Sequence, residues 1–137
     1  MATEPEKPQS VAEAIDAIEA TYELTLAYAA QGRRAETDDP LGVRQALRRA
    51  DAALDVLAAA TPADLGSPAG GAAQATADMI AVLKQDIGKA RAAIRFVLAQ
   101  QTIGSQIIDN LNASIHIRAL LTDIFLLDEA FEKTDSA

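Results

Sequence analysis

Apolar residues recur along most of this chain at alternating spacings of three and four, the period of an amphipathic α-helix. The first such run consists of Val11, Ile15, Ile18, Tyr22, Thr25 and Ala29. Ser10 and Glu13 stand just before and within it, spaced as a capping box, in which each side chain accepts a hydrogen bond from the other residue's backbone N–H. Gly32 is the type of residue expected just past a helix C-terminus. The pattern predicts a first helix from Ser10 to the turn at Gly32.

A second apolar run follows the same period and comprises Val43, Leu47, Ala50, Leu54 and Leu57. Asp39 and Pro40 precede it as a predicted N-cap and first helical residue, positions that favour these two residue types. The segment 61–71 then contains two Pro and three Gly, which a helix does not tolerate together. We therefore expect the second helix to end near residue 60, before a linker over 61–71.

The second half of the chain begins with a third run, which comprises Ile80, Leu83, Ile87, Ala90, Ile94 and Val97. Gly104 and Ser105 form the one candidate break before the C-terminus. We expect the helix to end there and Ser105 to cap a fourth helix. A single continuous helix is the alternative, because one internal Gly costs only about 1 kcal/mol. The remaining apolar segment, 106–131, is predicted to be one helix.

These elements predict an all-α fold, namely a four-helix, mostly antiparallel bundle built from two helical hairpins. The hairpins would cover residues 10–60 and 72–132, within a single domain spanning 10–132. Residues 1–9 are predicted to be a disordered acidic tail, and residues 133–137 a frayed one.

The last predicted helix is apolar over a wider surface than one stripe requires, so we expect it to be covered on more than one side. It is either the central helix or part of a subunit interface. The chain is rich in Ala and only 4% aromatic, which makes a thin core and favours a homo-oligomer, with a homodimer as the simplest form. The candidate interface residues are Ile107, Ile108, Leu111, Ile115, Arg118, Phe125 and Leu126.

The amino-acid composition excludes several kinds of binding site and binding partner. The chain has no Cys, which excludes a disulfide framework and a thiolate zinc site. Its net charge of −8 argues against nucleic-acid binding, which usually requires a basic excess. No apolar stretch has the length of a signal peptide core or a membrane span. We therefore expect a cytoplasmic protein that binds neither nucleic acid nor membrane.

Three basic residues of the third helix, Lys84, Arg91 and Arg95, follow one stripe beside its apolar positions. Such a stripe is a candidate site for an anionic ligand or an acidic partner. The alternative is that these long side chains cover the edge of the core and pair with nearby carboxylates.

The sequence predicts no catalytic residue, metal ligand or cofactor. His116 is the single histidine, and Ala113 stands where a Glu-x-x-His metal pair would need its carboxylate. Carboxylates at helical spacing are numerous but scattered, as on a solvated face. The prediction is therefore a non-enzymatic, self-associating protein that binds or regulates another macromolecule, expected to be a protein. The alternatives are a metal-dependent enzyme acting on a phosphorylated small molecule and a small-ligand binder in the bundle core.

Overall fold

The computed structural model describes residues 7–36, 42–65 and 72–135, and side chains as far as residue 130. All regular secondary structure in these ranges is helical, which confirms the predicted fold class. Five helices follow one another there: α1 (Val11–Ala29), α2 (Val43–Ala59), α3 (Ala73–Leu98), α4 (Ser105–Ala113) and α5 (Ile115–Asp135). The count exceeds the four predicted because the segment 106–131 is interrupted. No helix of the described ranges is both long and apolar enough to cross a membrane.

The start of α1 follows the predicted capping pattern in part. The Ser10 hydroxyl accepts a hydrogen bond from the Glu13 N–H at 3.1 Å, as expected of an N-cap. The Glu13 carboxylate accepts its bond from the N–H of Gln9, at 2.7 Å, one residue earlier than the capping box places it. The helix ends at Ala29, and Gly32 adopts the left-handed conformation that its lack of a side chain permits.

The structure describes only part of the region in which the sequence predicts the start of α2. Asp39 and Pro40 lie outside the described residues, as does the part of the predicted linker from 66 to 71. Within the described residues α2 begins at Val43, directly after Gly42 in the left-handed conformation.

The break between α3 and α4 lies where the sequence predicted one, but Ser105 does not cap the new helix. Gly104 occupies the N-cap position, and Ser105 is the first helical residue. A Cβ on Gly104 would lie 2.9 Å from the carbonyl oxygen of Arg34, so only glycine lets the two backbone segments approach this closely. The Ser105 hydroxyl is therefore free to bond across the turn, donating to the carbonyl of Tyr28 at 2.7 Å.

The predicted last helix is divided at Ser114, whose ψ of 133° leaves the helical region and interrupts the hydrogen-bond ladder. The Ser114 hydroxyl accepts a hydrogen bond from the N–H of His116 at 3.2 Å. This is the contact of an N-cap residue, so Ser114 begins α5 as Ser10 begins α1. The expectation of one continuous helix over 106–131 was wrong at this position.

Polar contacts join neighbouring helices. The Thr21 hydroxyl of α1 donates to the carbonyl of Ala46 near the start of α2. Arg95, near the end of α3, pairs with Asp51 of α2, while the earlier Arg91 reaches the later Asp55, so α2 and α3 run antiparallel. The helices enclose one apolar core, whose largest fully buried side chains are Val43, Leu47, Leu54, Leu57, Leu83, Ile87, Ile103, Ile108, Leu120 and Tyr28.

Helix α5 packs on α3 in the same antiparallel sense. Leu83 of α3 lines a cavity together with Ile124 of α5, whereas Ile94, three turns further along α3, lines one together with Ile117. The shorter α4 packs mainly on α1, because its apolar side turns toward Tyr28 and its neighbours. The break at Ser114 thus lets the two pieces of the last predicted helix cover different partners.

Candidate interaction surface

The structure divides the candidate interface residues between the core and the surface. Ile108 and Leu111 are buried, and Ile107 is half-buried, because α4 turns its apolar side onto α1. Ile108 and Leu111 belong to the chain's own core, and Ile107 packs against that core. The exposed members of the set lie on α5: Ile115, Arg118, Phe125 and Leu126.

Two exposed apolar side chains of α3, Val82 and Phe96, lie outside the predicted interface set. They stand one residue before Leu83 and Val97, which are both core positions. An apolar residue beside a core stripe on a helix is visible in the sequence. Its exposure is not, because the neighbouring helix decides whether that flank is covered.

Four of these exposed side chains lie on α3 and α5. Asp86 of α3 lies against Asp123 of α5, which fixes the flanks on which the two helices meet. Val82 is one turn from Asp86 and Leu126 is one turn from Asp123, so both fall near these flanks at one end. Phe96 and Ile115 lie at the other end of these helices, about 80° around each helix from Asp86 and Asp123, on the outward sides. We call Val82, Phe96, Ile115 and Leu126 the α3–α5 face; their exposed fractions are 43%, 65%, 75% and 57%.

Phe125 and Arg118 do not belong to the α3–α5 face. They are exposed, but the helical period turns both toward the opposite flank of α5, away from Asp123. Arg118 lies one turn from Ile115 along α5, so it adjoins one end of the face.

A carboxyl pair lies at the middle of the α3–α5 face. Asp123 is 6% exposed, and its Oδ2 has no hydrogen-bond partner among the described residues. Burial and, secondly, the neighbouring Asp86 together raise the pKa of Asp123 to about 7, since two close carboxylates disfavour a second negative charge. The pair can therefore hold a proton near neutral pH, and deprotonation places an uncompensated charge between α3 and α5.

The candidate anion site is occupied by carboxylates of the chain itself. Arg91 donates from Nε to Asp51 at 3.0 Å and from Nη1 to Asp55 at 3.2 Å. Arg95 donates from Nε to Asp51 at 3.1 Å. Lys84 is exposed on the same stripe. This arrangement matches the alternative given above, in which the cations cover the edge of the core and pair with acidic residues.

Arg44, near the start of α2, holds other segments of the chain in place. Its guanidinium donates to the carbonyl oxygens of Leu98 and Gln100, at 2.8 and 2.9 Å, and pairs with Glu36 at 2.8 Å. Glu36 also accepts the N–H of Ile103. Burial raises the pKa of Glu36, but the hydrogen bonds from Ile103 and Arg44 outweigh it and leave the pKa below its ordinary value. Arg44 and Glu36 thus tie the turn between α3 and α4 to α2.

The core contains a cavity of about 40 Å³ beside Tyr22, Thr25 and Asn112. Asn112 is 9% exposed, and its Nδ2 has no hydrogen-bond partner. The volume corresponds to about one or two water molecules. A core cavity of this size offers little room to the small ligand considered above.

His116 is exposed at the start of α5. Within the described ranges, no three His, Asp or Glu side chains lie close enough together to hold a metal ion.

Comparisons with protein-family models, with curated proteins and with solved structures found nothing that matches this chain.

Proposed function

We propose that this protein is non-enzymatic and self-associates as a homodimer through the α3–α5 face. The observation that carries the proposal is the exposure of Val82, Phe96, Ile115 and Leu126 on the two helices α3 and α5. Exposed apolar surface on a protein commonly marks an interaction site. The interface thus differs from the one expected from sequence, since α3 replaces α4 as the second contributing helix.

A second copy is the occupant that fits this face best. A two-fold axis presents the same four apolar side chains in return, so eight are buried together. Each side chain is already partly covered, so burying the rest of it contributes less than the roughly 1.5–3 kcal/mol of a fully exposed one, against an association cost of roughly 4–15 kcal/mol. Lys89, exposed on the same flank of α3, gives Asp86 of the other copy an opposite charge. That local pairing matters because two chains of net charge −8 repel each other.

The finer description of the fold belongs to the same proposal. When α4 and α5 are counted as one interrupted helix, the fold is a four-helix, mostly antiparallel bundle of two hairpins. We also propose a cytoplasmic location. We further propose that the protein regulates another protein, which competes with the second copy for the α3–α5 face. The acidic net charge supports the absence of nucleic-acid binding.

The test is analytical ultracentrifugation of the unmodified protein and of the double variant Phe96→Ser, Ile115→Ser. We expect a dimer at micromolar concentration and at least about a 100-fold weaker association in the variant. Leu26→Ser is the matched control, since Leu26 is an exposed apolar residue of α1 outside the face. Circular dichroism checks that all three fold alike. An unmodified protein that sediments as a monomer at tens of micromolar would overturn the proposal, as would equal weakening by the control.

A further inference from the structure

A second, larger cavity lies at the end of the molecule opposite the turn between α3 and α4. Its volume is about 280 Å³, close to the lower end of the range for small-molecule sites. Its buried apolar wall is formed by Leu57, Leu65, Leu83, Ile124 and Leu127. These residues come from α2, the segment after α2, α3 and α5, so the cavity lies where these elements meet. We call it the end cavity.

The charged residues described in the lining of the end cavity are both acidic. Asp64 and Asp128 lie at its exposed edge, and none of the described lining residues is Lys, Arg or His. Within the described ranges neither carboxylate takes part in an ion pair. This distinguishes them from Asp51 and Asp55, whose charges are balanced by cations of the same chain.

Asp64 is held in place by a reciprocal pair of hydrogen bonds. Its Oδ2 accepts the N–H of Thr61 at 2.9 Å, and its own N–H donates to the Thr61 hydroxyl at 3.2 Å. The bond from the Thr61 N–H also lowers the pKa of Asp64 below its ordinary value. The carboxylate is therefore oriented and ionised without being neutralised by a cation.

The electrostatic potential beside Asp128 is made more negative by acidic residues of α1. Glu19 lies one turn beyond Ile15, which lines the end cavity. Burial raises the pKa of Glu19, and Asp128, Asp16 and Glu23 raise it further. A cation that binds next to Asp128 would relieve this repulsion, so Glu19 reports on the charge at the edge of the cavity.

We propose that the end cavity binds an amphipathic organic cation, namely a primary ammonium attached to an apolar body. The apolar body lies against Leu57, Leu83 and Leu127, and the ammonium lies at the edge beside Asp64 and Asp128. The apolar wall supplies most of the affinity, while the two carboxylates select the charge of the ligand. This site is separate from the α3–α5 face, so either proposal can fail without the other.

Calorimetric titration with three probes of one chain length tests the proposal: octylammonium, octanol and octanoate. We expect octylammonium to bind most tightly, octanol on the order of tenfold more weakly, and octanoate not measurably. Equal binding of all three would show an apolar cavity without charge selection and would overturn the proposal. So would the absence of octylammonium binding at millimolar concentration.

Two matched pairs of variants locate the site. Asp64→Asn and Asp128→Asn should each weaken octylammonium binding about threefold to fivefold, whereas Asp109→Asn, an exposed carboxylate on α4, should leave it unchanged. Ala12→Leu, at the cavity lining, should block octylammonium and octanol alike, whereas Ala20→Leu, exposed elsewhere on α1, should not. Binding of octylammonium should lower the pKa of Glu19 in an NMR titration. Equal losses in a variant and its control, or an unmoved Glu19, would contradict the assignment.

Discussion

The two ends of the helical domain are closed in different ways. At the end that holds the α3–α4 turn, hydrogen bonds from Arg44, Ser105 and Tyr28 tie together segments far apart in the chain. At the other end, Leu57 and Leu127 meet around a cavity of about 280 Å³ edged by the carboxylates of Asp64 and Asp128. The difference indicates that the polar end fixes the packing of the helices, while the apolar end leaves space between them. Substitutions at the two ends should therefore differ in cost.

The largest effect is expected for Arg44→Met. This change keeps the apolar stem but removes the hydrogen bonds to the carbonyls of Leu98 and Gln100, and it leaves Glu36 without its cation. The free energy of unfolding should fall by about 3 kcal/mol, since hydrogen bonds to charged groups contribute roughly 1.5–3 kcal/mol each. Urea denaturation measures the change. Arg49→Met, an exposed arginine of the same helix, should stay within about 0.5 kcal/mol of the unmodified protein. If both substitutions lowered the free energy of unfolding equally, the hydrogen bonds of Arg44 would not be what fixes the polar end.

A second prediction concerns pH and the seam between α3 and α5. The pKa of Asp123 is about 7 in the folded protein against an ordinary 3.8, so the folded state binds more protons between these values. Stability should therefore fall as the pH rises from about 4 to 8. Asp123→Asn mimics the protonated form and should flatten this dependence, stabilising the protein at pH 8 and changing its stability little at pH 4.

The raised pKa of Glu19 acts in the same direction as that of Asp123, so the slope should shrink in Asp123→Asn without vanishing. Thermal unfolding followed from pH 4 to 8 in both proteins measures it. A variant as pH-sensitive as the unmodified protein would show that the carboxyl pair does not govern the seam.

Tyr28→Phe should have a smaller effect at the polar end. The Tyr28 hydroxyl donates to the carbonyl of Ile103, and both groups are buried. Its removal leaves that carbonyl unsatisfied and should cost about 1–2 kcal/mol in urea denaturation. Tyr22→Phe is the natural comparison, because Tyr22 is only half-buried, and we expect it to be close to neutral. If Tyr22→Phe proves the more costly change, the hydrogen bond to Ile103 is not what holds the turn.

The smallest effect is expected at the apolar end. Ala12→Leu adds apolar volume at the lining of the end cavity, where open space accommodates it. The free energy of unfolding should change by no more than about 0.5 kcal/mol, since overpacking is costly only where the core is already filled. A loss above 1 kcal/mol would mean that this end is as tightly packed as the polar one.

The sequence by itself determined the helical class and most helix positions. The spacing of Val11, Ile15 and Ile18 predicts α1, and the Gly104 region marks the end of the long helix before it. The buried face of α1 nevertheless follows a neighbouring stripe, which consists of Ala14, Ile18, Thr21, Thr25 and Tyr28. Local chemistry suffices here, because capping and amphipathic period depend only on residues a few positions apart. Ser114 carried the same type of signal as Ser10, but the apolar stripe on either side of it favoured one continuous helix.

The tertiary structure decided which of the apolar and charged faces are used. Periodicity shows that Ile108 and Ile115 are apolar positions of a helix, but only the placement of α1 and α3 buries the first and exposes the second. Likewise the sequence does not show whether Arg91 is paired, and the structure places it in an ion pair with Asp51. Asp123 resembles any other acidic helix residue until α3 brings Asp86 against it. These outcomes depend on which helix faces which, and that depends on contacts between residues tens of positions apart.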